Sequence, residues 1–275
     1  MSDHDEPYEL LALRYAHHQR PRRDNFLGGD PHDAAMPLDY FVWVARNASR
    51  TIVIDTGFSA ATAAKRGRVI VRPVGDALRD VGVDPATVQD VIVTHMHYDH
   101  AGNVDLFPAA RFHLQEREMQ FATGRYMCFT NFRVVLEADD VVAMVRRLFN
   151  DQVIFHAGDA QIAPGIQVHL IGGHTPGLQA VSVATARGRV VLASDATHFY
   201  ANMDEDRPFP LVTDLEAMLA GYRRLVVIAD SIDHVVPGHD PLVMQQYPLV
   251  HSLNPLAVRL DQPPQFSGWK ALKRA

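Results

Sequence analysis

The sequence predicts an α/β protein in which helices cover the faces of β-sheets. Short apolar segments rich in β-branched residues alternate with longer segments whose apolar residues recur every three or four positions. The strand-like segments include YELLALRY, YFVWVAR, TIVID, VQDVIVT, ARFHL, IQVHLI, LQAVSVA and GRVVLAS, and the helical ones are VGDALRDVGV, QEREMQFA, EADDVVAMVRRLF and TDLEAMLAGYRRLVVIAD. Strands and helices alternate in both halves of the chain, which is typical of the α/β class.

The composition indicates one folded domain over residues 1–275. Hydrophobic residues make up 47% of the chain, enough for a substantial core, and no linker or low-complexity tract divides the sequence. The net charge of −6 provides no basic field for a nucleic acid, so we expect no nucleic-acid partner. We expect the short basic run HHQRPRRD (17–24) to be a solvated loop.

The termini and the cysteine content favour a cytoplasmic protein with no membrane partner. The first residues, MSDHDEPYEL, are acidic and lack the basic and apolar regions of a secretory signal. No apolar stretch approaches the roughly 18 residues that span a bilayer. The single cysteine, Cys128, cannot form an internal disulfide, which agrees with a reducing compartment.

Three histidines and one aspartate lie within six positions of the segment THMHYDH (94–100), directly after an apolar strand. Imidazole and carboxylate groups are costly to bury unless they are paired, and a metal ion satisfies several of them at once. Alternate residues of an extended segment point the same way, so His95 and His97 can share one metal. The turn that follows offers Asp99 and His100 to a second metal. The sequence therefore predicts two neighbouring metal sites.

Three further strand-like segments end in residues of the same chemistry. His174 lies in GGHTPG after IQVHLI, Asp195 follows GRVVLAS, and His239 lies in PGHD after SIDHVV. Loops at the carboxyl ends of strands are where α/β folds build their sites. A lone histidine is more often structural or exposed, but the shared context of strand end and Gly or Pro turn favours a role in the site.

The motifs THMHYDHAGN, GGHTPG, ASDA and VPGHD, in that order, resemble those of the metallo-β-lactamase superfamily, and most of all its N-acyl homoserine lactonase branch. The resemblance implies an αβ/βα sandwich, the metallo-β-lactamase fold, with two facing mixed sheets flanked by helices and a dinuclear metal centre at one edge. By correspondence, the first metal is held by His95, His97 and His174, the second by Asp99, His100 and His239, and both by the bridging Asp195. The IDTG motif implies that Asp55 orients the ligands.

The branch implies a hydrolase that opens a lactone ring by attack of a metal-bridging hydroxide, most directly the ring of an N-acyl homoserine lactone in quorum quenching. Asp99 is expected to carry the proton to the leaving alkoxide. Imidazole and carboxylate ligands suit two zinc ions, and manganese, iron or cobalt are also compatible. The resemblance also implies a homodimer.

One departure from the branch concerns the group that polarises the substrate carbonyl. Lactonases of this branch generally carry a tyrosine three residues after the bridging aspartate, where this chain has His198, with Tyr200 two residues further on. Either side chain could donate a hydrogen bond to the carbonyl. The aromatic residues of FATGRYMCFTNF (121–132) and HFYANM (198–203) are predicted to form an apolar channel for an acyl tail or, equally, ordinary packing.

Two classes of function stay open from the sequence. The first is a hydrolase, whose substrate is an acyl homoserine lactone, a different small lactone or carboxylic ester in catabolism, or a glutathione thioester as in glyoxalase II. The second is a non-hydrolytic metalloprotein that reuses the fold. The complete seven-ligand set favours the hydrolase, because a protein without this chemistry has no reason to gather such costly polar groups. A β-lactamase with a cysteine ligand is disfavoured, since Asp195 stands at that motif.

Overall fold

Two β-sheets face each other, with helices packed on their outer faces. The computed structural model describes residues 6–32, 34–251 and 255–269. The strands are β1 (Glu9–His18), β2 (Leu38–Arg46), β3 (Thr51–Ile54), β4 (Val69–Ile70), β5 (Asp90–Ile92), β6 (Arg111–Gln115), β7 (Val153–His156), β8 (Ala160–Ala163), β9 (Ile166–Leu170), β10 (Gln179–Thr185), β11 (Gly188–Ser194), β12 (Val235–Pro237) and β13 (Ala257–Arg259). The helices are α1 (Ala60–Arg66), α2 (Val74–Asp80), α3 (Tyr98–Ala101), α4 (Glu116–Ala122), α5 (Thr130–Arg133), α6 (Ala138–Phe149), α7 (Tyr200–Asp204), α8 (Leu215–Ile228) and α9 (Leu242–Gln246).

Both sheets are mixed, as the fold class predicts. The first has the order β13-β1-β2-β3-β5-β6-β7, and β4 pairs with β1 outside this path. Its strands β1, β2 and β3 are antiparallel, whereas β3, β5, β6 and β7 run parallel. The second has the order β12-β11-β10-β9-β8, in which only the β11–β12 pair is parallel. The parallel pairs collect carboxyl ends of strands at one edge of each sheet.

The first sheet is buried on both faces, which explains why its strands have continuous apolar runs. In β1, Leu10 and Ala12 belong to the apolar cluster that joins the two sheets, together with Val181 and Leu192 of the second sheet. The alternate residues Leu11 and Leu13 pack instead in the cluster formed with the outer helices. Burying a side chain of this size stabilises the fold by about 1.5–3 kcal/mol, so the two-sided pattern fixes the register of the strand.

Each strand and helix segment predicted from the sequence contains an element of the expected type. The elements missed are short and lie at sheet edges or have no apolar period. Strand β13 has three residues, and β4 has two. Helix α1 (AATAAKR) lacks an apolar stripe, and its ends are set by capping, since Ser59 accepts from the backbone of Thr62 and Gly67 ends the helix at φ 63°. None of the helices in the described ranges has the length and apolar run needed to cross a membrane.

Candidate metal centre

The seven predicted metal ligands come together at the edge where the two sheets meet. They follow the carboxyl ends of β5, β9, β11 and β12, as the strand-end pattern predicts. All seven side chains are almost entirely buried: His95, His97, Asp99, His100, His174, Asp195 and His239. Gly238 permits the close approach of the β12 loop, because a Cβ at this position would lie 2.7 Å from the Ser194 carbonyl oxygen.

The ligand atoms form two adjoining groups, each within 4.8 Å. One group contains His95, His97, His174 and Asp195, and the other contains Asp99, His100 and His239. The Asp195 carboxylate lies between them: Oδ2 is 3.2 Å from His174 Nε2, whereas Oδ1 is 3.2 Å from His100 Nε2 and 3.0 Å from His239 Nε2. One carboxylate oxygen therefore faces each group, which is the arrangement expected of a bridging ligand.

The donor atoms fit a pair of divalent cations. The Nε2 atoms of His95 and His100 are buried and, within the described ranges, neither makes a hydrogen bond of good geometry, a costly state for a polar atom. His174 Nε2 and His97 Nδ1 converge to 2.9 Å, so two ring nitrogens point at the same place. A metal ion accepts lone pairs from all of these atoms, and five imidazoles with two carboxylates form a donor set that zinc prefers.

Three of the histidines are oriented through the ring nitrogen that points away from the centre. His174 Nδ1 donates to the Leu211 carbonyl at 2.6 Å, and His239 Nδ1 donates to the Asp39 carbonyl at 2.9 Å. His100 Nδ1 lies 2.7 Å from a carboxylate oxygen of Asp55. With Nδ1 protonated, each ring turns the Nε2 lone pair toward the centre, the tautomer that binds a metal.

Asp55 contacts a candidate ligand, as expected for the orienting role that the resemblance implies. Besides His100, its carboxylate accepts hydrogen bonds from the Thr94 backbone N–H at 2.7 Å and from the Thr94 hydroxyl at 2.9 Å. The residue lies in the left-handed region with φ 61°, a conformation that costs a non-glycine residue about 1 kcal/mol or more. The hydrogen bonds hold Asp55 in this conformation. They also join the end of β3 to the start of the loop that carries His95 and His97.

The electrostatics of the centre divide the histidines into two sets. Burial opposes the protonation of His100 and of His239, but nearby carboxylates outweigh it and raise the pKa of both rings, whereas the pKa values of His95 and His97 are lowered. Burial, together with neighbouring imidazoles, lowers the pKa of His95 and of His97 well below the usual value, so both rings are neutral at pH 7. Burial opposes the ionisation of Asp195, but His198, His239 and other imidazoles outweigh it and hold the pKa of this carboxyl well below its usual range. Neutral imidazole and ionised carboxylate are the forms that bind divalent cations.

His198 lies at the centre, with its Nε2 atom 3.0 Å from Asp195 Oδ2. Its ring stacks on Phe209 at a centroid distance of 3.7 Å and an angle of 9°. Burial lowers the pKa of His198 to about 3, so the ring is neutral at pH 7. With Asp195 and His239, its Nε2 forms a third set of converging donor atoms. His198 is thus close enough to contact a substrate or an ion.

The structure does not bring Tyr200, the other candidate for the carbonyl donor, to the centre. Its hydroxyl donates to Gln246 at 2.9 Å, and its ring packs edge-on against Trp269 at 4.7 Å. The reason is local, because Tyr200 begins helix α7 and its backbone N–H donates to the Asp240 carboxylate at 3.1 Å. The start of the helix therefore directs the side chain into the core. The prediction that the Tyr200 hydroxyl donates to a substrate carbonyl is wrong.

Glu118 is a buried residue of the site that the sequence reasoning missed. Its carboxylate accepts from the Met96 backbone N–H at 3.0 Å, from the Thr175 hydroxyl at 2.7 Å and from the Gly177 backbone N–H at 3.0 Å. Glu118 therefore joins the loop of His95 and His97 to the loop of His174. The sequence does carry a signal for its burial: Glu118 lies three residues before Phe121, on the apolar face of α4.

A pocket of about 540 Å³ opens onto His97 and His174. Its wall includes Phe121, Phe129 and Phe132 from the segment predicted to form an apolar channel. The second predicted part of the channel lies elsewhere, because Phe199, Tyr200 and Met203 pack in the core. A cavity of similar size, about 560 Å³, lies beyond Phe199 and Tyr200 and is lined by none of the seven ligands. The pocket at His97 is therefore a candidate for the part of a substrate site that holds an apolar group.

Comparison with curated proteins identifies two kinds of relative. Metallo-beta-lactamase domain-containing protein 1 of Homo sapiens is 32% identical over 193 residues, which cover 69% of this chain and 58% of the human protein. An N-acyl homoserine lactonase of Bacillus thuringiensis is 27% identical over 165 residues, covering 59% of this chain and 60% of the lactonase. The matched segments thus span about three fifths of these relatives.

Comparison with solved structures supports the fold. A quorum-quenching N-acyl homoserine lactone lactonase superposes with a TM-score of 0.72 at 21% identity, covering 86% of this chain and 94% of the lactonase. A dizinc quorum-quenching lactonase superposes with a TM-score of 0.65 at 18% identity, covering 86% of this chain and 90% of that one. The family profile of the metallo-beta-lactamase superfamily matches residues 36–239. This chain belongs to the metallo-beta-lactamase superfamily.

Proposed function

We propose that the protein is a dinuclear metal-dependent hydrolase that opens a lactone ring. The observation that carries the proposal is the placement of Asp195 between two groups of imidazole and carboxylate donors, with one oxygen toward each. These residues would hold two divalent cations, zinc being the favoured choice, and the bound cations would supply an activated water molecule and polarise a carbonyl group. A hydrolase of a cyclic ester uses both properties.

The chain's own side chains supply proton transfer and hydrogen bonding. Asp99 Oδ2 lies 3.5 Å from His100 Nε2 and 3.7 Å from His239 Nε2, within the second group of donors. Burial opposes its ionisation, but the two histidines hold the pKa of Asp99 below its usual range, so the carboxylate is ionised at neutral pH and carries no proton before it takes up the one that it would pass to the leaving alkoxide. His198 Nε2 is the proposed donor to the substrate carbonyl oxygen.

N-acyl homoserine lactones are the first substrate class to consider. The lactonase of Bacillus thuringiensis carries that activity in its name, and the phenylalanines of the pocket at His97 provide an apolar wall for an acyl chain. A different small lactone or carboxylic ester is the second class. His198 in place of the branch's tyrosine favours this second class, because it alters the one substrate-facing position that the motifs define.

A pH-indicator hydrolysis assay distinguishes these classes. The purified, metal-quantified protein is tested against acyl homoserine lactones of several chain lengths, simple γ- and δ-lactones, aryl esters, a β-lactam and a glutathione thioester. We expect lactone turnover that is lost on chelation and in Asp195→Asn. Turnover of the thioester alone, or of no compound by protein with two bound ions, would refute the lactonase proposal. The cytoplasmic location and the homodimer stay predictions.

A further inference from the structure

One arginine of the basic run HHQRPRRD lies near the metal centre, although the sequence predicts a solvated loop for this run. The guanidinium carbon of Arg20 lies 4.9 Å from the ring centroid of Phe209, the ring that stacks on His198. Arg22, two residues further on, instead pairs with the Glu205 carboxylate at 2.9 Å. A single aromatic ring, that of Phe209, thus separates Arg20 from His198.

Arg68, in the turn between α1 and β4, reaches the same side of the centre. Its Nε donates to the Tyr98 hydroxyl at 3.1 Å, and that hydroxyl lies 3.2 Å from the hydroxyl of Tyr40. The Tyr40 ring in turn packs edge-on against His239 at 5.3 Å. Arg68 therefore lies on the His198 and His239 side, whereas the apolar pocket opens on His97 and His174.

His18 contacts Arg68 and lies two residues before Arg20 in the chain. A guanidinium nitrogen of Arg68 donates to His18 Nε2 at 3.3 Å, and since arginine has no acceptor, this ring nitrogen carries the lone pair. Burial, with Arg68 and Arg20 as further causes, lowers the pKa of His18 to about 4, so the ring is neutral at pH 7. We refer to His18, Arg20 and Arg68 as the basic cluster. His18 positions Arg68 and adds no charge.

Neither guanidinium of the basic cluster has a carboxylate partner in the described ranges. The hydrogen bonds of Arg68 end on Tyr98, His18 and the Arg66 carbonyl, and that of Arg20 ends on a backbone carbonyl, with no ion pair within 4.0 Å. The Nε atom of Arg20 is buried without a hydrogen-bond partner. This is unexpected in a chain with 32 acidic residues, because neighbouring half-buried cations repel each other.

The chemistry of the cluster points to an anion as its missing partner. Guanidinium groups bind carboxylates through paired N–H donors in a planar geometry, and such bonds are about twice as strong as neutral ones. Both arginines are half-buried, so they are partly shielded from water and still reachable from solvent. A carboxylate there would supply an ion-pair partner that no described residue provides within 4.0 Å.

We propose that Arg20 and Arg68 bind a carboxylate carried by the substrate itself, which makes the preferred substrate an acidic lactone or ester. The inference deepens the proposed function and rests on it, because the metal centre places the reacting carbonyl. An acyl homoserine lactone has no such group, so the basic cluster selects the second substrate class. The carboxylate does not react but fixes the orientation of the ring.

The kinetic test uses matched lactones. The first probe is γ-butyrolactone with a carboxylate on its γ-carbon. It is compared with the corresponding carboxamide, which has the same shape and no charge. We expect Arg20→Met and Arg68→Met each to lower kcat/KM for the carboxylate by about tenfold or more, mainly through KM, since a charge-assisted bond is lost. Turnover of the carboxamide should change less than about threefold, because its contacts to the arginines are weak. Arg23→Met removes an exposed charge from the same run and is the matched control.

A binding test separates the basic cluster from the hydrolase proposal. Calorimetry on the metal-loaded protein compares 2-hydroxyglutarate, the ring-opened form of the carboxylate probe, with 4-hydroxybutyrate, which lacks the second carboxylate. Tighter binding of 2-hydroxyglutarate that is lost in Arg20→Met and kept in Arg23→Met supports the inference, even if no lactone is hydrolysed. Equal binding of the two acids, or equal loss in all variants, overturns it whatever the outcome of the hydrolysis assay.

Discussion

Replacing Glu118 by alanine should loosen both ligand loops of the first metal group at once. The carboxylate accepts three hydrogen bonds, two of them from backbone N–H groups at Met96 and Gly177. The Thr175 hydroxyl can rotate toward another acceptor, but the two backbone donors have no such freedom. They remain buried and unpaired in the variant.

The magnitude follows from those two donors. Each unsatisfied buried N–H costs about 1–3 kcal/mol, and the cavity left by the side chain adds to the loss. Burial raises the pKa of Glu118, because the ionised carboxylate is unfavourable where it is shielded from water. Removing this group therefore offsets part of the loss of stability. The expected net loss is about 3 kcal/mol in the free energy of unfolding, a large fraction of the usual 5–15 kcal/mol. Glu118→Gln keeps one oxygen but places an amide N–H against a backbone donor, so its loss should be smaller.

The assay measures urea unfolding of the chelator-treated protein and, separately, the metal content after reconstitution. We expect Glu118→Ala to lower both stability and metal retention. Glu116→Ala, on the exposed side of the same helix, is the control and should behave as the wild type. The reasoning is refuted if Glu118→Ala unfolds within about 0.5 kcal/mol of the wild type, the range of ordinary surface substitutions, and still retains two ions.

Three further predictions follow from individual contacts. Asp55→Asn leaves one oxygen acceptor and turns an amide N–H toward either Thr94 or His100, and mass spectrometry should detect metal affinity reduced about 10–100-fold, as for other changes to residues that hold ligands. His198→Phe keeps the stack on Phe209 but removes Nε2, so kcat should fall about 100-fold while metal content is unchanged; an unchanged kcat would exclude His198 as the carbonyl donor. Burial and the neighbouring Glu137 and Asp139 raise the pKa of Asp140 to about 7. The native state therefore binds more protons than the unfolded state between about pH 4 and pH 7, and stability falls as pH rises through this window. Asp140→Asn should stabilise the protein by about 1 kcal/mol at pH 8, after discounting for partial exposure, and the gain should vanish below about pH 4 in urea titrations.

The convergence of the seven candidate ligands was predictable because their signal is local. The segment THMHYDH places four ligand-type side chains in six positions, and the other three ligands share the context of strand end and tight turn. The parallel pair β11–β12 then brings Asp195 and His239 together, and the parallel pair β3–β5 places Asp55 beside the loop of His95 and His97. Spacing and strand polarity are both properties that a sequence pattern carries.

The positions of other site residues depend on contacts that no local pattern encodes. Tyr200 has suitable spacing from Asp195, but the start of helix α7 turns it toward Trp269. Arg20 lies in a charged run that usually remains solvated, and only the packing of Phe209 against His198 gives it a place beside the centre. A glutamate in a short helix is expected to be exposed, and Glu118 is buried because the loop that contains Thr175 packs over it. In each case, the partner lies far away in the sequence.

The division of ligands between the two sheets has a consequence for maturation of the protein. Four ligands precede residue 101, and three follow residue 173, so neither donor group is complete within one half of the chain. The second group of donor atoms cannot form until β12 and His239 have been synthesised. Ion capture is therefore a late event in biogenesis, and because bound ions add their binding free energy to stability, they lock together halves that have already docked. Retained metal should report on whether a molecule has been synthesised and folded through its last ligand.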